Sequence, residues 1–487
     1  MTNVSPPKRS SILIISSGIL VCALGLWLLS GQNCASAQIA KGTLATNNRP
    51  ISVRATGLGS ARNVPLYGFN GNNTFGPKWS TPNLLKQIKS IKPQIIRYPG
   101  GNVSDWWDWQ TGWFINNSDL PTRYKQLSKV SMGLDELKKV IDATGCQVVF
   151  VLNMISSSLS DQILMLQHAQ QMGIAVKWIE LGNEYNIPNS AGMQKFKGAK
   201  LYATTSRNWI SSIHNYFPLA QIAIVGGNSS NNLISSWNTI VLKETQSANA
   251  IVLHNYPWPI KVIDANGINF SLLYNQTNTI IQRKGFNIAK SLPSVWVTEY
   301  NILWGNLKRV SNKNQVLSNY CSWGDALGII LMTSTLTQQI PNLEIACVHN
   351  LTGYEPFSAI QTKNKTFNLL PNGIGIKAWG QASIGMSTMA QINFITNQKE
   401  GIPDYQLLGW KFSKDQIIKA ILVNFTNRYM KVDLKMASLT KKISYRTIYA
   451  NKNQQVIGLK NVQQKNGTTE KEILTLPPYS ITNIEGI

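Results

Sequence analysis

Carboxylates are scarce in this chain: 22 Asp and Glu stand against 46 Lys and Arg, a formal net charge of +24 over 487 residues. Each acidic side chain at a special position is therefore informative. The basic residues are scattered and form no tail or stripe. That argues against a nucleic-acid surface, where clustering on one face is the signal. Histidine is scarcer still: His168, His214, His254 and His349 are dispersed along the chain. Of the five cysteines, Cys22 and Cys34 lie near the N-terminus. Cys146, Cys321 and Cys347 remain, an odd and widely spaced set that makes no disulfide framework. No Cys–His spacing points to a metal. There is no Gly-rich phosphate loop, no internal repeat and no low-complexity linker. Neither a metal nor an organic cofactor is expected.

One uncharged apolar run stands out, residues 12–29, preceded by Lys8 and Arg9 and followed by Ala35-Ser36-Ala37. A basic start, an apolar stretch and a small-residue site read as a secretory signal cleaved after Ala37. The run is also just long enough to span a bilayer, so residues 1–37 uncleaved would be an N-terminal anchor giving membrane association. Either way the body is expected to be exported: secreted, periplasmic or at the cell surface.

What the chain does have is an alternation of apolar strand patterns with helical ones. Strand patterns fall at 64–70, 94–98, 147–152, 176–181, 221–225, 250–253, 294–298 and 343–348. Helical patterns fall near 82–91, 133–144, 161–172, 193–217, 270–290, 315–337 and 373–389. Strands alternating with helices predict parallel pairing, and eight such units predict a (β/α)8 barrel, an α/β fold, over 64–389. After it, short strand patterns separated by turn-rich pieces such as Ser413-Lys414-Asp415 and Lys465-Asn466-Gly467 predict an antiparallel β-sandwich over 390–487. The entry segment 38–63 contains one further strand pattern, 51–55, which could join the sandwich.

The chain is organised around Val176-Lys-Trp-Ile-Glu-Leu-Gly-Asn-Glu-Tyr-Asn186, an apolar strand that ends in a polar clump. Barrel enzymes carry their chemistry at the carboxyl ends of strands. On this reading those ends present Asn70, Arg97, Asn102, Asn153, Asn183, Glu184, Asn228, His254, Tyr256, Glu299 and His349. Glu184, after the fourth strand, and Glu299, after the seventh, are the only carboxylates among them. Amides and carboxylates suit sugar hydroxyls, and Trp258 and Trp304 at strand ends suit the apolar faces of sugar rings. Two facing carboxylates can cleave a glycosidic bond, one protonating the leaving oxygen and the other attacking the anomeric carbon. Glu180 reads as structural, paired with a buried cation. Of Trp106, Trp107 and Trp109, at least one should pack in the core.

The chain resembles a clan A glycoside hydrolase. Arg97-Tyr-Pro-Gly-Gly-Asn102 resembles the second-strand motif of family 51 α-L-arabinofuranosidases, and Trp178-Ile-Glu-Leu-Gly-Asn-Glu184 the acid/base motif of families 51 and 79, the latter the heparanase and β-glucuronidase group. Val297-Thr-Glu-Tyr-Asn301 resembles the nucleophile strand of families 39 and 51, and Leu476-Pro-Pro-Tyr-Ser-Ile-Thr482 the closing strand of their C-terminal domain. The resemblance implies a retaining hydrolase with Glu184 as general acid/base and Glu299 as nucleophile. It implies that Arg97 orients Glu299, Tyr256 touches it, and Asn102 and Asn183 bind sugar; His254 would contact substrate or orient its neighbours. The chain departs from family 51 in having no carboxylate after the first strand, and from family 79 in having Tyr185 after the acid/base. The expected partner is a carbohydrate substrate and not nucleic acid. An arabinofuranoside is favoured, with a uronide of an acidic glycan as the alternative. A silent carbohydrate-binding protein on the same fold is a third reading. Oligomeric state is open.

Overall fold

Eight short runs rich in β-branched and aromatic residues, buried on both faces, form a closed parallel barrel. The computed structural model describes residues 49–71, 74, 76–116, 118–227, 232–257, 263–264, 267–283, 294–302, 322–353, 358–362, 366–439, 442–450 and 459–486. The barrel strands are β1 (Leu66–Asn70), β2 (Ile95–Tyr98), β3 (Gln147–Val151), β4 (Trp178–Leu181), β5 (Gln221–Val225), β6 (Ala250–Asn255), β7 (Ser294–Tyr300) and β8 (Leu343–His349). Each pairs in parallel with the next, and β8 closes onto β1. The crossovers carry α1 (Pro82–Ile91), α2 (Leu134–Thr144), α3 (Leu159–Gln171), α4 (Ala199–His214), α5 (Asn232–Glu244), α6 (Phe270–Gln282), α7 (Trp323–Gln339) and α8 (Pro371–Ser383).

The barrel interior is apolar below and charged at the top. Ile95, Val149, Trp178, Ala223, Val252, Trp296 and Ile345 fill the lower layers. Two residues further on, Arg97 and Glu180 share the inward faces of β2 and β4 and are completely buried. At the opposite rim the indoles of Trp178 and Trp296 donate to Glu344 at 3.3 and 2.8 Å.

Expected and observed elements differ at particular points. The helix expected over 193–217 is two helices, Ala191–Phe196 and α4, because Lys197 and Gly198 take left-handed backbone (φ 55° and 137°) between them. The final helix ends at Ser383, where strand Thr388–Thr396 of the second sheet soon begins. That sheet is mixed. Strand Ile51–Leu58 lies antiparallel to Thr388–Thr396 and parallel to Met430–Asp433, while the other pairs are antiparallel. Lys465-Asn466-Gly467, expected as a turn, lies inside strand Val462–Thr469, which pairs along its length with Ile443–Ala450. Its polar side chains gave no apolar alternation to read. Residues 1–37, Asn228, Trp258, Trp304 and Cys321 lie outside the described residues. Cys146 and Cys347 are buried free thiols.

Candidate active site

The guanidinium of Arg97 is the hub of the barrel mouth. Nε and Nη2 donate to the two oxygens of Glu180 at 2.7 and 2.6 Å, in the fork geometry that suits a carboxylate. Nη2 also reaches Asn183 Oδ1 at 2.7 Å, and Nη1 reaches Glu299 Oε1 at 2.7 Å and Asn70 Oδ1 at 3.0 Å. Burial works against the charged guanidinium, but Glu180 and Glu299 outweigh it and hold its pKa above the ordinary arginine value. Glu180 is thus the structural partner of a buried arginine, and it fixes the plane from which Arg97 addresses Glu299.

Glu299 reaches the mouth through an irregularity in β7. Leu253 lies opposite Val297 and His254 opposite Glu299, so Thr298 is the extra residue. Bulges of this kind re-aim side chains beside active sites. Both Glu299 oxygens are engaged: Oε1 by Arg97 and Oε2 by the Tyr256 hydroxyl, which donates at 2.6 Å. Burial opposes its charge, yet His254 first, then His349 and Arg97, outweigh burial and hold the carboxyl well below the usual carboxylate range. The Tyr256 phenol is pushed well above its ordinary value, by burial first and then by the Glu299 charge to which it donates.

Glu184 stands on left-handed backbone (φ 51°) just past β4. Its Oε1 lies 2.8 Å from Nδ1 of His254, and that nitrogen is 3.8 Å from Glu299 Oε2. One ligating atom from each of Glu184, His254 and Glu299 lies within 4.8 Å of the others. Burial lowers the imidazole pKa, but Glu299 and Glu184 outweigh it and raise the value above normal. A Glu–His–Glu cluster has the donor set of a metal site. Glu184 Oε1, His254 Nδ1 and both Glu299 oxygens, however, already face hydrogen-bond partners, and His254 Nε2 faces Thr298 Oγ1 at 3.3 Å, which suits proton chemistry.

Asn183 is spent on the protein: its Oδ1 accepts from Arg97, and its Nδ2 donates to Asn102 Oδ1 at 2.8 Å. Asn102 is half-exposed and ends this chain at the cleft. Asn153 is removed from the ring of candidates, because its amide organises the turn after β3 through Trp107 O, Ser156 Oγ and two backbone N–H groups. Trp107 packs in the core, and Trp109 donates to Asp161 on α3.

Three residues outside the principal candidates enter the site. Asn70 presents Oδ1 to Arg97, which can only donate, so its NH2 faces Nδ1 of His349 at 2.9 Å. The same Nδ1 lies 3.4 Å from Glu299 Oε2. Asp105, in the short helix Gly101–Trp106, accepts from the Tyr185 hydroxyl at 2.8 Å. Asn70 and His349 stood at strand ends in the sequence; Asp105 had no local signal.

The fold is that of the clan A glycoside hydrolases, and its neighbours among solved structures agree with the family 51 resemblance. The family 51 α-L-arabinofuranosidase of Thermotoga petrophila superposes with a TM-score of 0.66 at 17% identity, covering 90% of this chain and 100% of that one. A 4-O-α-L-rhamnosyl-β-D-glucuronidase of Fusarium oxysporum gives 0.56 at 13%, covering 90% and 100%. By sequence the chain is similar to α-L-arabinofuranosidase C of Emericella nidulans, 21% identical over 308 residues, 55% of this chain and 58% of that protein. An exo-α-(1→6)-L-arabinofuranosidase of Bifidobacterium longum is 23% identical over 201 residues, 36% of this chain and 38% of that protein. The chain thus spans little over half the length of the curated relatives it matches. No family model matches it.

Proposed function

We propose that this protein is a retaining glycoside hydrolase of the α-L-arabinofuranosidase kind, with Glu299 as nucleophile and Glu184 as general acid/base. The observation that carries the reading is the pair of carboxylates: oxygens within 4.8 Å of each other, in opposite surroundings. Retaining enzymes hold their carboxyl groups about 5–5.5 Å apart, whereas inverting ones leave about 6.5–9.5 Å for a water. Glu299 is kept ionised by His254, His349 and Arg97, and accepts from the Tyr256 hydroxyl, as an attacking carboxylate requires. Among the described residues Glu184 has an imidazole at its oxygen and no guanidinium bonded to it, which suits a group that gives up a proton and takes one back.

In the first half-reaction Glu299 Oε2 attacks the anomeric carbon, and Glu184 protonates the departing glycosidic oxygen. Tyr256 turns its hydrogen bond from the consumed oxygen charge toward the ring. In the second half-reaction Glu184 takes a proton from water, the water attacks, and Glu299 leaves as the carboxylate that Arg97 stabilises. Arabinofuranosidases dominate the similar proteins, which favours an arabinofuranoside as glycone. The lack of a carboxylate soon after the first strand, where family 51 has one, with the +24 charge and the likeness to a glucuronidase, supports a uronide as the second choice.

The test is a panel of aryl glycosides (arabinofuranoside, glucuronide, xyloside, glucoside, galactoside) with Glu299→Gln as control. Turnover of one sugar, lost in the control, is expected. Sugar binding without turnover, unchanged in Glu299→Gln, would instead identify a binding protein. The sequence at 8–37 supports export, tested by sequencing the N-terminus of the mature protein, which should begin at Gln38.

A further inference from the structure

Glu184 is held in a left-handed backbone conformation (φ 51°) that a glutamate rarely adopts. A left-handed non-glycine residue persists only where its surroundings over-determine it. Here the residues on either side are tied to one element. Asn183 Nδ2 donates to Asn102, and the Tyr185 hydroxyl donates to Asp105 at 2.8 Å. Both acceptors lie on the helix Gly101–Trp106 that follows β2.

The Tyr185 ring is completely buried, wedged between two glycines. A Cβ built on Gly182 or on Gly192 would lie 2.0 Å from its ring atoms. It packs edge-on against Tyr202, whose own hydroxyl donates to Leu181 O at 2.8 Å. The ring cannot move without the turn, and the turn carries Glu184.

We infer that Tyr185 and Asp105 are positioning residues that aim the acid/base Glu184, acting as a hydrogen-bonded clamp between the β4 turn and the helix after β2. The inference rests on the glycosidase reading above. Asp105 is a buried acceptor built for this contact. Burial pushes its carboxyl up to about 8, against the Tyr185 hydroxyl, Arg123 and Arg97, with Glu184 adding to the rise; Lys195 also faces it. Below that pH the carboxyl is neutral, and its carbonyl oxygen accepts the tyrosine hydrogen bond without placing a second charge beside Glu184.

A clamp on the acid has a signature that general destabilisation lacks. Departure of a poor leaving group needs protonation, while a dinitrophenolate leaves unaided. Tyr185→Phe keeps the ring between its glycines and removes only the hydroxyl. Its kcat/KM for a phenyl glycoside should fall about 100-fold, the usual cost of a misplaced catalytic group, and that for the 2,4-dinitrophenyl glycoside less than about threefold. Asp105→Asn keeps a carbonyl acceptor for the hydroxyl. It should retain most of the phenyl glycoside activity and lose any change in rate centred near pH 8.

Equal losses on both substrates, or none on either, in a Tyr185→Phe protein with wild-type circular dichroism would overturn the clamp. So would an Asp105→Asn protein as selective against the phenyl glycoside as Tyr185→Phe. If the wild-type chain turned over neither substrate, the glycosidase reading itself would be the one to fall.

Discussion

Replacing Arg97 by Met is the severest single change the site offers. It deletes a guanidinium that touches Glu180 at 2.6 and 2.7 Å, Asn183 and Glu299 each at 2.7 Å, and Asn70 at 3.0 Å. Glu180 is then left buried without its cation, while Glu299 keeps His254 and the Tyr256 hydroxyl beside it. Removing one partner of a buried ion pair costs about 3–5 kcal/mol, because the other charge stays desolvated. An unpaired buried carboxylate relieves that cost by taking up a proton, which it does more readily folded than unfolded. A raised carboxyl pKa destabilises the fold above the unfolded value and not below it. The loss should therefore be larger at pH 8 than at pH 4.5. Urea titrations of wild type and Arg97→Met at both pH values measure it. Arg97→Met/Glu180→Gln, which removes the stranded charge, should recover about 1–3 kcal/mol as coupling between neighbours. The same change should lower kcat/KM by about 30- to 160-fold, the worth of one charge-assisted hydrogen bond of about 2–3 kcal/mol to the nucleophile. It should also move the acid limb of the rate profile to higher pH. A loss below about 1 kcal/mol, a loss equal at the two pH values, or a double variant no more stable than the single one would refute this account of the hub.

Glu184→Ala should keep the 2,4-dinitrophenyl glycoside as a substrate, and added azide should speed its turnover and give a glycosyl azide of retained configuration; the inverted azide would assign Glu184 as the nucleophile instead. His254 has a folded pKa above its unfolded value of about 6.5, with Glu299 and Glu184 outweighing burial, so its stabilisation is complete below that value and fades as pH rises through the folded one. The stability advantage of wild type over His254→Gln in urea should then be greater at pH 5.5 than at pH 9, and the opposite trend contradicts the bridge between the carboxylates. Gly182→Ala puts a Cβ 2.0 Å from the Tyr185 ring on backbone of φ 90°. Overpacking and left-handed strain together should cost about 2–4 kcal/mol, and a change within about 0.5 kcal/mol would mean that the ring has room to move.

The barrel was legible because short, nearly continuous apolar runs alternate with helical patterns, and the site because barrels gather polar side chains at the carboxyl ends of strands. What was not legible depends on partners distant in sequence. Asp105 looks like one more loop acid until Tyr185, 80 residues away, is placed against it. The inward aim of Glu299 depends on a register slip at Thr298 that strict alternation in β7 does not reveal. Asn153 stood at a strand end like Asn183, but local backbone N–H groups claim its carbonyl oxygen. The break at Gly198 hid inside a continuous helical periodicity, and strand Val462–Thr469 hid because its exposed polar side chains are held by pairing and not by burial.

The central claim is that Glu299 becomes covalently bonded to sugar. The most direct measurement is mass spectrometry of the chain after incubation with an activated aryl glycoside fluorinated at C2, made from the sugar that the panel identifies. Fluorine at C2 slows release of the intermediate more than its formation. One glycosyl adduct per chain, located on the peptide that contains Glu299 and absent in Glu299→Gln, is the predicted result. An adduct on Glu184, or steady turnover with no adduct and a first product of inverted configuration, would contradict it.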